Sequence, residues 1–230
     1  MILVSNPSLL ADLPLTEQSG GSETPPRAPG AAALVSITGR QLLVGVRLLV
    51  AMTVILGIAY PLLVLGIGQL TAPAKANGSL VTVNGKTVGS SLIGQSFADP
   101  QWFQGRPSAA GADGYDSTAS GGSNLSADSE VLLKSIQERR AAVAKADGVD
   151  PSAVPVDALT ASASGLDPDI SLAYATIQVN RVAAARKLDP AAVRQLVDAH
   201  VSTPLLGFIG QEHVNVLQLN IDLQSMTPTS

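Results

Sequence analysis

Residue types that carry out catalysis or bind metals are scarce in this sequence. Its 230 residues include no cysteine and two histidines, His200 and His213. The lack of cysteine excludes disulfides, cysteine nucleophiles and thiolate metal sites, and the histidines do not have metal-ligand spacing. No Walker loop, G-x-S-x-G elbow, H-E-x-x-H motif or dinucleotide fingerprint occurs. We therefore predict no catalytic residue and no metal site.

One short segment has the composition of an anion-binding loop. Its glycines would let backbone N–H groups and two hydroxyls approach an anion, and a helix predicted to start at Ser126 would add its positive end. The alternative is a tight turn whose glycines adopt positive φ angles. The residue pattern leaves both open. The candidate nucleotide or anion loop consists of Ser120, Gly121, Gly122, Ser123 and Asn124.

The longest apolar stretch, Leu48 to Leu70, predicts a membrane-spanning helix. Its 23 residues carry no charge, and at the helical rise they extend about 34 Å, against a hydrocarbon core of about 30 Å. A signal peptide has an apolar core of only about 7 to 15 residues, near the start of the chain. A buried helix of a soluble protein rarely runs so far without a polar side chain. With its flanks, the transmembrane helix is predicted at residues 41–72.

Four residues of this helix are candidate contacts with other membrane helices. Pro61 has no N–H donor, so a carbonyl near Gly57 should lose its partner and the helix should bend. Gly57 is small enough to allow close approach of a second helix. Arg47 either extends toward lipid headgroups or pairs with an acidic group on another subunit. The candidates are Arg47, Gly57, Tyr60 and Pro61.

Charge sets the expected topology and excludes one class of partner. Arg40 and Arg47 precede the span and Lys75 follows it, a bias that favours a cytoplasmic N-terminus and an extracytoplasmic C-terminal domain. The formal net charge of −4 comes from the region beyond Leu70, which has 11 basic and 15 acidic residues. No basic patch occurs, so nucleic-acid binding is not expected.

Three regions are predicted along the chain. Residues 1–40, rich in Ser, Gly, Pro and Ala, are expected to be a disordered tail because they cannot bury enough apolar surface to offset chain entropy. The transmembrane helix follows at 41–72. Residues 73–230 are long enough for one α+β domain.

Local patterns predict the elements of that domain. Asn84-Gly85 between β-favouring runs predicts a hairpin. Three helices are expected: one from Ser126 to Gly148, one after Asp167-Pro168 to about Lys187, and one capped by Asp189 with Pro190 in its first turn. Alternation of apolar and polar residues over Leu217–Leu223 predicts a final strand that joins the hairpin's sheet. The polar segment 98–125 contains Trp102 and Phe103, which argues for an ordered functional loop.

Several motifs, in one order along the chain, resemble the C subunit of Kdp-type potassium-transporting ATPases, the KdpC family. They are Gly57–Leu63 (GIAYPLL), Ala76–Leu80 (ANGSL), Val88–Gln95 (VGSSLIGQ), Gly105–Ser108 (GRPS), Ser120–Leu125 (SGGSNL), Leu159–Ile170 (LTASASGLDPDI), Arg181–Ala183 (RVA) and Val214–Leu219 (VNVLQL). This sequence departs from the family at Asp169, where histidine is usual, and in its long N-terminal tail.

The resemblance implies a non-catalytic subunit of a potassium import complex in the cell (inner) membrane. Its partners would be a channel-like potassium-binding subunit, a P-type ATPase subunit and a small membrane subunit, besides the lipid bilayer. The family also carries a proposed catalytic-chaperone role that raises ATP affinity, with the segment 120–124 compared to an ATP-binding signature loop. ATP is implied by resemblance only, and no tightly bound cofactor is expected.

The two implied roles conflict physically. An extracytoplasmic loop at 120–124 would lie across a hydrocarbon core of about 30 Å from cytoplasmic ATP. We therefore favour a structural and gating role at the potassium entrance. The alternatives are a membrane-anchored extracytoplasmic binding or sensor protein, and a tethered hydrolase that uses a serine with His200 or His213.

Overall fold

A computed structural model describes residues 31–204 and 207–226, with side chains from residue 39 onward. Two compact units meet after Leu63 along the chain, and each is described by itself. Of the expected tail at 1–40, residues 1–30 lie outside the described residues. The first described helix begins at Ala31, ten residues before the predicted start of the span.

The apolar stretch is helical throughout. Helix α1 (Ala31–Val54), a π-helical turn (Ile55–Ala59) and helix α2 (Tyr60–Thr71) follow one another without a gap. Within them, Gly39–Thr71 is a run of 33 residues that is long and apolar enough to cross a membrane, and none of its most apolar window is buried by other described residues. A core helix of a soluble protein would be covered, so this helix fits the predicted transmembrane span.

A helix of one turn and a β-hairpin follow the span. Helix α3 (Pro73–Ala76) leads into β1 (Leu80–Val83) and β2 (Lys86–Ser90), which pair in antiparallel fashion. Asn84 and Gly85 have φ angles of 50° and 76°, as a type I′ turn requires. The predicted hairpin is confirmed, and it forms a two-stranded sheet of its own.

Four longer helices and a second small sheet make up the rest of the α+β domain. The helices are α4 (Glu130–Asp147), α5 (Leu172–Arg186), α6 (Pro190–Ala199) and α7 (Val216–Ser225), with 3-10 turns at Pro151–Ala153 and Val156–Ala158. Strands β3 (Asp169–Ile170), β4 (Val201–Ser202) and β5 (His213–Asn215) form an antiparallel sheet in the order β3-β5-β4.

Helix ends follow side-chain caps, and two of them differ from the prediction. The first helix starts after Ser129, whose hydroxyl accepts from Leu132 N, and not after Ser126, while Gly148 ends it with φ 65° as expected. The second starts after Ser171, because Asp169 and Ile170 pair as β3. Asp189 caps the third helix through Ala191 N at 3.0 Å, as predicted.

The predicted final strand is wrong, because Leu217–Leu223 lies in α7. The side chains that α7 buries include Val216, Leu219, Asn220 and Leu223, which share one face at helical spacing. The alternation was misleading because Asn220 is buried and not a solvent-facing polar residue. The segment therefore does not join the hairpin's sheet.

The core lies between the helices and the second sheet. Its fully buried members come mainly from β3, β5, α5, α6 and α7, and Phe103 joins them from the long loop with none of its surface exposed. The largest are Phe103, Leu159, Ile170, Val182, Val193, Val197, Val214, Leu219 and Leu223.

Buried polar side chains hold the loop that contains Phe103. Asn220 accepts from Phe103 N and donates to Phe103 O, both at 2.9 Å. Gln178 makes the same pair of bonds to Gln104, accepting from its N at 2.7 Å and donating to its O at 3.1 Å. These bonds replace the ladder that a strand would provide.

Arg181 completes this arrangement, which we call the loop clamp (Gln178, Arg181, Asn220 and Asp147). Its Nη1 donates to Trp102 O at 3.0 Å and its Nη2 to Gln178 Oε1 at 2.6 Å. Its Nε donates to Asp147 Oδ1 at 2.7 Å, and these two side chains are only 8% and 4% exposed. A buried ion pair of this kind is costly to break from one side.

Replacing Asn220 with alanine should destabilise the protein by about 2–4 kcal/mol, because Phe103 N–H and C=O would both be left buried without partners. The measurement is the free energy of unfolding of the full chain in detergent, followed by circular dichroism. Gln218→Ala, an exposed position on the same helix, is the matched control and should change it by less than about 0.5 kcal/mol. If the two variants lowered the free energy of unfolding by the same amount, the hydrogen bonds of Asn220 would not stabilise the loop as proposed.

Candidate functional site

Several of the sequence motifs come together in one group of loops. Gly94 N donates to Leu166 O at 2.9 Å, Ser108 Oγ donates to Gly165 O at 2.6 Å, and Gly121 N donates to Ser164 O at 2.8 Å. We call the three segments that meet here, residues 92–95, 104–124 and 160–169, the loop cluster. Its middle segment, 104–124, begins at Gln104, one of the two residues whose backbone Gln178 and Asn220 hold.

Tyr115 is the central side chain of the loop cluster. Its hydroxyl donates to Arg106 O at 2.6 Å, and its N–H donates to Ser108 Oγ at 2.7 Å. A Cβ at Gly94 or Gly105 would come within 2.6 Å of this ring or its hydroxyl, so both glycines are needed for close packing. Burial, reinforced by the charge of Asp167 and opposed by that of Arg106, raises the pKa of Tyr115 to about 12.

The predicted anion loop packs against a second loop. Ser120 Oγ donates to Ser164 O at 3.0 Å, beside the Gly121 N–H bond to the same carbonyl, and Gly122 lies against the backbone of Ala163. Gly121 and Gly122 do not have positive φ, and the left-handed residue is Asn124 with φ 52°. The tight-turn interpretation is therefore wrong for the glycines, and at Gly122 the lack of a side chain allows close approach to the backbone of Ala163.

The anion-loop hypothesis loses one of its supports. Helix α4 begins at Glu130 behind its own cap, Ser129, so its positive end is not directly after the loop as predicted. Ser123 and Asn124 remain exposed. A Cβ at Gly121 would meet no atom within 4 Å, which leaves open space on that side of the loop.

Arg106 links the loop cluster to the segment Asp167-Pro168-Asp169. Its Nη1 donates to Asp167 Oδ2 at 2.8 Å and its Nη2 to Thr160 O at 3.5 Å. Arg106 also lines three open clefts, of about 430, 660 and 270 Å³. The guanidinium is thus the polar group that these three clefts share, partly neutralised by its carboxylate partner.

Asp169 lies in the smallest of these clefts, with Asp157, Asp167 and His213. It accepts from Asn215 Nδ2 at 3.0 Å and is 3.8 Å from His213 Nε2. Burial raises its pKa, opposed by the Asn215 bond and by His213. Asp169 was expected in the first turn of a helix, but it lies in β3, where Asn215 and His213 favour its carboxylate form and Asp167 opposes it. Among the described residues, no group of His, Asp and Glu is arranged to hold a metal ion.

His200 has a structural environment. Its Nδ1 lies 2.9 Å from Leu196 O and its Nε2 lies 2.9 Å from Asp222 Oδ2. Both ring nitrogens are therefore occupied, one by the backbone of its own helix and one by a side chain of α7. The ring of His213 contacts Gln211 O at 2.9 Å through Nδ1.

The candidate contact residues of the membrane helix lie on an uncovered surface. Arg47 and Tyr60 are exposed, and a Cβ at Gly57 would meet only Thr53 Cγ2, at 3.9 Å. The π-helical turn Ile55–Ala59 lies where Pro61 was predicted to leave a carbonyl near Gly57 without its donor, and the predicted bend stays a prediction. The exposed surface of the helix therefore includes the space beside Gly57 and the irregular backbone of the π-helical turn.

A family model described as "K+-transporting ATPase, c chain" matches residues 42–225, a range that contains the span, the hairpin, the loop cluster and α7. The chain belongs to the KdpC family. The match covers most of the chain, and it includes both the break in the membrane helix and the loop clamp.

Relatives in this family are similar over most of their length. Proteins named potassium-transporting ATPase KdpC subunit are 56% identical in Kineococcus radiotolerans, over 82% of this chain and 95% of the relative, and 52% identical in Gemmatimonas aurantiaca, over 78% and 90%. The one from Caulobacter vibrioides is 54% identical over 76% and 88%. This KdpC-family chain is therefore a subunit of a potassium-transporting ATPase, and its apolar helix fits a single-pass membrane subunit.

Sequence reasoning missed the clamp residues that position the loop cluster. Gln178 and Arg181 are three residues apart on α5, so they share one face and meet the same loop. Arg181 was noted only as part of a family motif, and Asn220 was assigned to the wrong face of a strand. A polar residue inside an otherwise apolar helical stripe was the one signal available.

Alkaline titration should destabilise the protein through Tyr115. Its folded pKa is about 12 and the unfolded value is about 10, so the stabilising effect of the neutral buried phenol is complete below pH 10 and is lost between pH 10 and 12. The measurement is the free energy of unfolding against pH. Tyr115→Phe should cost about 1 kcal/mol at neutral pH and should make the alkaline decline shallower. Burial also raises the pKa of Tyr174, so part of the decline should remain. A decline that is as steep in Tyr115→Phe as in the unaltered chain would show that the assignment to Tyr115 is wrong.

Proposed function

We propose that this chain is a non-catalytic accessory subunit of an ATP-driven potassium import complex, and that it supports assembly and stability of its partners. The partners would be the channel-like potassium-binding subunit, the P-type ATPase subunit and the small membrane subunit. One observation carries the proposal: an apolar helix of 33 residues whose most apolar window is not covered by any other part of the chain that the structure describes, in a family whose members are transporter subunits.

The polar side chains of the C-terminal domain support a structural role. The loop clamp, Tyr115 and Ser120 use their hydrogen bonds on other parts of the same chain. His200 is occupied at both nitrogens. A domain built in this way presents a fixed surface to a partner, and the reactive chemistry belongs to other polypeptides.

The proposed orientation has the N-terminus in the cytoplasm and the C-terminal domain outside. The bias of Arg40 and Arg47 over Lys75 supports it. In that orientation the loop 120–124 does not reach cytoplasmic ATP, and the domain acts near the potassium entrance. Protease protection of the C-terminal domain in sealed inverted vesicles is the expected result.

Deleting residues 80–230 while keeping the span should abolish stable assembly. The domain supplies a large folded surface, whereas the span alone offers only a narrow helix face. The measurement is co-purification of the potassium-binding and ATPase subunits from membranes that contain the truncated chain. Normal recovery of the two would refute the assembly role, and a stable solitary chain with a small-molecule ligand would favour the sensor alternative.

A catalytic-chaperone role remains the second candidate, favoured by the open side of the loop at Gly121. Gly121→Ala adds a methyl group into open space at a residue without positive φ, so it should leave folding unchanged. Were ATP to contact this loop in the complex, the variant would raise the KM for ATP several-fold. We expect an unchanged KM.

Gly165→Ala is the matched structural control for that experiment. Gly165 has a φ of 66°, and a Cβ there would lie 2.6 Å from Gly121 O. This variant should therefore displace the same loop and lower stability. A KM that responds to both variants would support nucleotide contact, while a response to Gly165→Ala alone indicates a structural effect.

A further inference from the structure

The π-helical turn deprives two consecutive carbonyls of their α-helical donors. In an α-helix the C=O of residue i accepts from the N–H of residue i+4. Tyr60 N–H donates to Ile55 O, one residue earlier than the Leu56 carbonyl that it would otherwise serve. Pro61 has no N–H to offer to Gly57 O. The carbonyls of Leu56 and Gly57 therefore lie side by side without their usual partners.

The surroundings leave these carbonyls accessible. Leu56 is 62% exposed, and Gly57 has no side chain to screen its own backbone. The nearby hydroxyl of Thr53 is committed to the preceding turn, where it donates to Leu49 O at 2.8 Å. A helix from another polypeptide could approach Gly57 closely.

The position along the span makes the missing bonds costly. Ile55, the first residue of the turn, is midway between Gly39 and Thr71, the ends of the apolar run. The middle of a bilayer offers no water, and a polar group without a partner there costs several kcal/mol. Lipid chains have no donor at this depth, so the compensating donor has to come from protein.

We propose that Leu56 O and Gly57 O form an acceptor site for an uncharged donor side chain, a hydroxyl or a carboxamide, on a transmembrane helix of a partner subunit. The close approach at Gly57 suits such a short side chain. The proposal rests on the proposed assembly function and names the part of the span that makes the contact. Pro61 is then a positioning residue, because it keeps the acceptors open.

The chain contains a built-in pair of probes for this site. Glycine precedes isoleucine at two places only, Gly57-Ile58 and Gly66-Ile67. Labelling glycine with ¹³C at the carbonyl and isoleucine with ¹⁵N therefore selects two carbonyl resonances in solid-state NMR spectra of the full chain in bilayers. Gly66 lies in regular α-helix within α2 and serves as the internal control.

The comparison is between the isolated labelled chain and the same chain assembled with its unlabelled partner subunits. A donated hydrogen bond shifts a carbonyl ¹³C resonance downfield. We expect the Gly57 resonance to move downfield on assembly while that of Gly66 does not. A Gly57 resonance that stays unchanged on assembly would overturn the proposal. A Gly57 resonance that already matches that of Gly66 in the isolated chain would also overturn it, because Gly57 O would then accept a hydrogen bond without any partner subunit.

Pro61→Ala provides an independent arm, because alanine at this position supplies an N–H to Gly57 O. In the isolated chain the Gly57 resonance should then move to the Gly66 position, a result that does not depend on any partner. In membranes with the partner subunits, association should weaken roughly threefold to tenfold, the size of one interhelical hydrogen bond.

Gly66→Ala is the control for the association arm, since a Cβ there meets no atom within 4 Å. It should leave association unchanged. If Pro61→Ala assembles as tightly as the unaltered chain, the acceptor site is not used. Failure of the unaltered chain to co-purify with its partners would contradict the assembly function. If the Gly57 resonance still responded to Pro61→Ala in that case, Gly57 O would nevertheless be shown to lack a donor in the isolated chain.

Discussion

The C-terminal domain depends on pairing the backbone of a long loop that enters its core. Phe103 cannot be buried unless its own N–H and C=O are also taken out of water, and each would cost about 1–3 kcal/mol if left unpaired. No strand of the described domain pairs with it, so Asn220 and Gln178 supply the bonds that a ladder would supply. Arg181 and Asp147 then fix the side chain of Gln178 from behind.

This arrangement explains why the Gly- and Ser-rich motifs of the loop cluster, whose composition is typical of an anion-binding loop, make packing contacts. Once residues 100–104 are fixed, the chain that follows must cross the segment 160–169 at short range. Glycines at 94, 122 and 165 allow close approach between that segment and its neighbours, and the hydroxyls of Ser108 and Ser120 donate to carbonyls of residues 164 and 165. A Gly- and Ser-rich loop is thus required by backbone-to-backbone contact, with or without a ligand.

Patterns that act within a few residues predicted their elements well. Asn84-Gly85 has the φ angles of its turn, Asp189-Pro190 starts α6, and Gly148 ends α4, since each depends on local dihedral or capping preferences. The failures involve distant partners. Asn220 was counted as solvent-facing because its partner, Phe103, lies far away in sequence, and strands of two or three residues such as β3 carry no periodic signal. The residues of the loop 120–124 were identifiable, but their contact with Ser164 was not.

The same rule about backbone polar groups governs both parts of the chain, with opposite outcomes. In the domain, the irregular backbone at Phe103 and Gln104 binds side chains of its own chain. In the span, the irregular turn at Ile55–Ala59 consists of apolar residues, and the hydroxyl of Thr53, one turn earlier, donates to Leu49 O. Where the domain uses its own side chains, the span would use a partner: the two carbonyls that lose their α-helical donors in lipid are the ones that we propose another polypeptide completes. On that proposal the break is half of an interface.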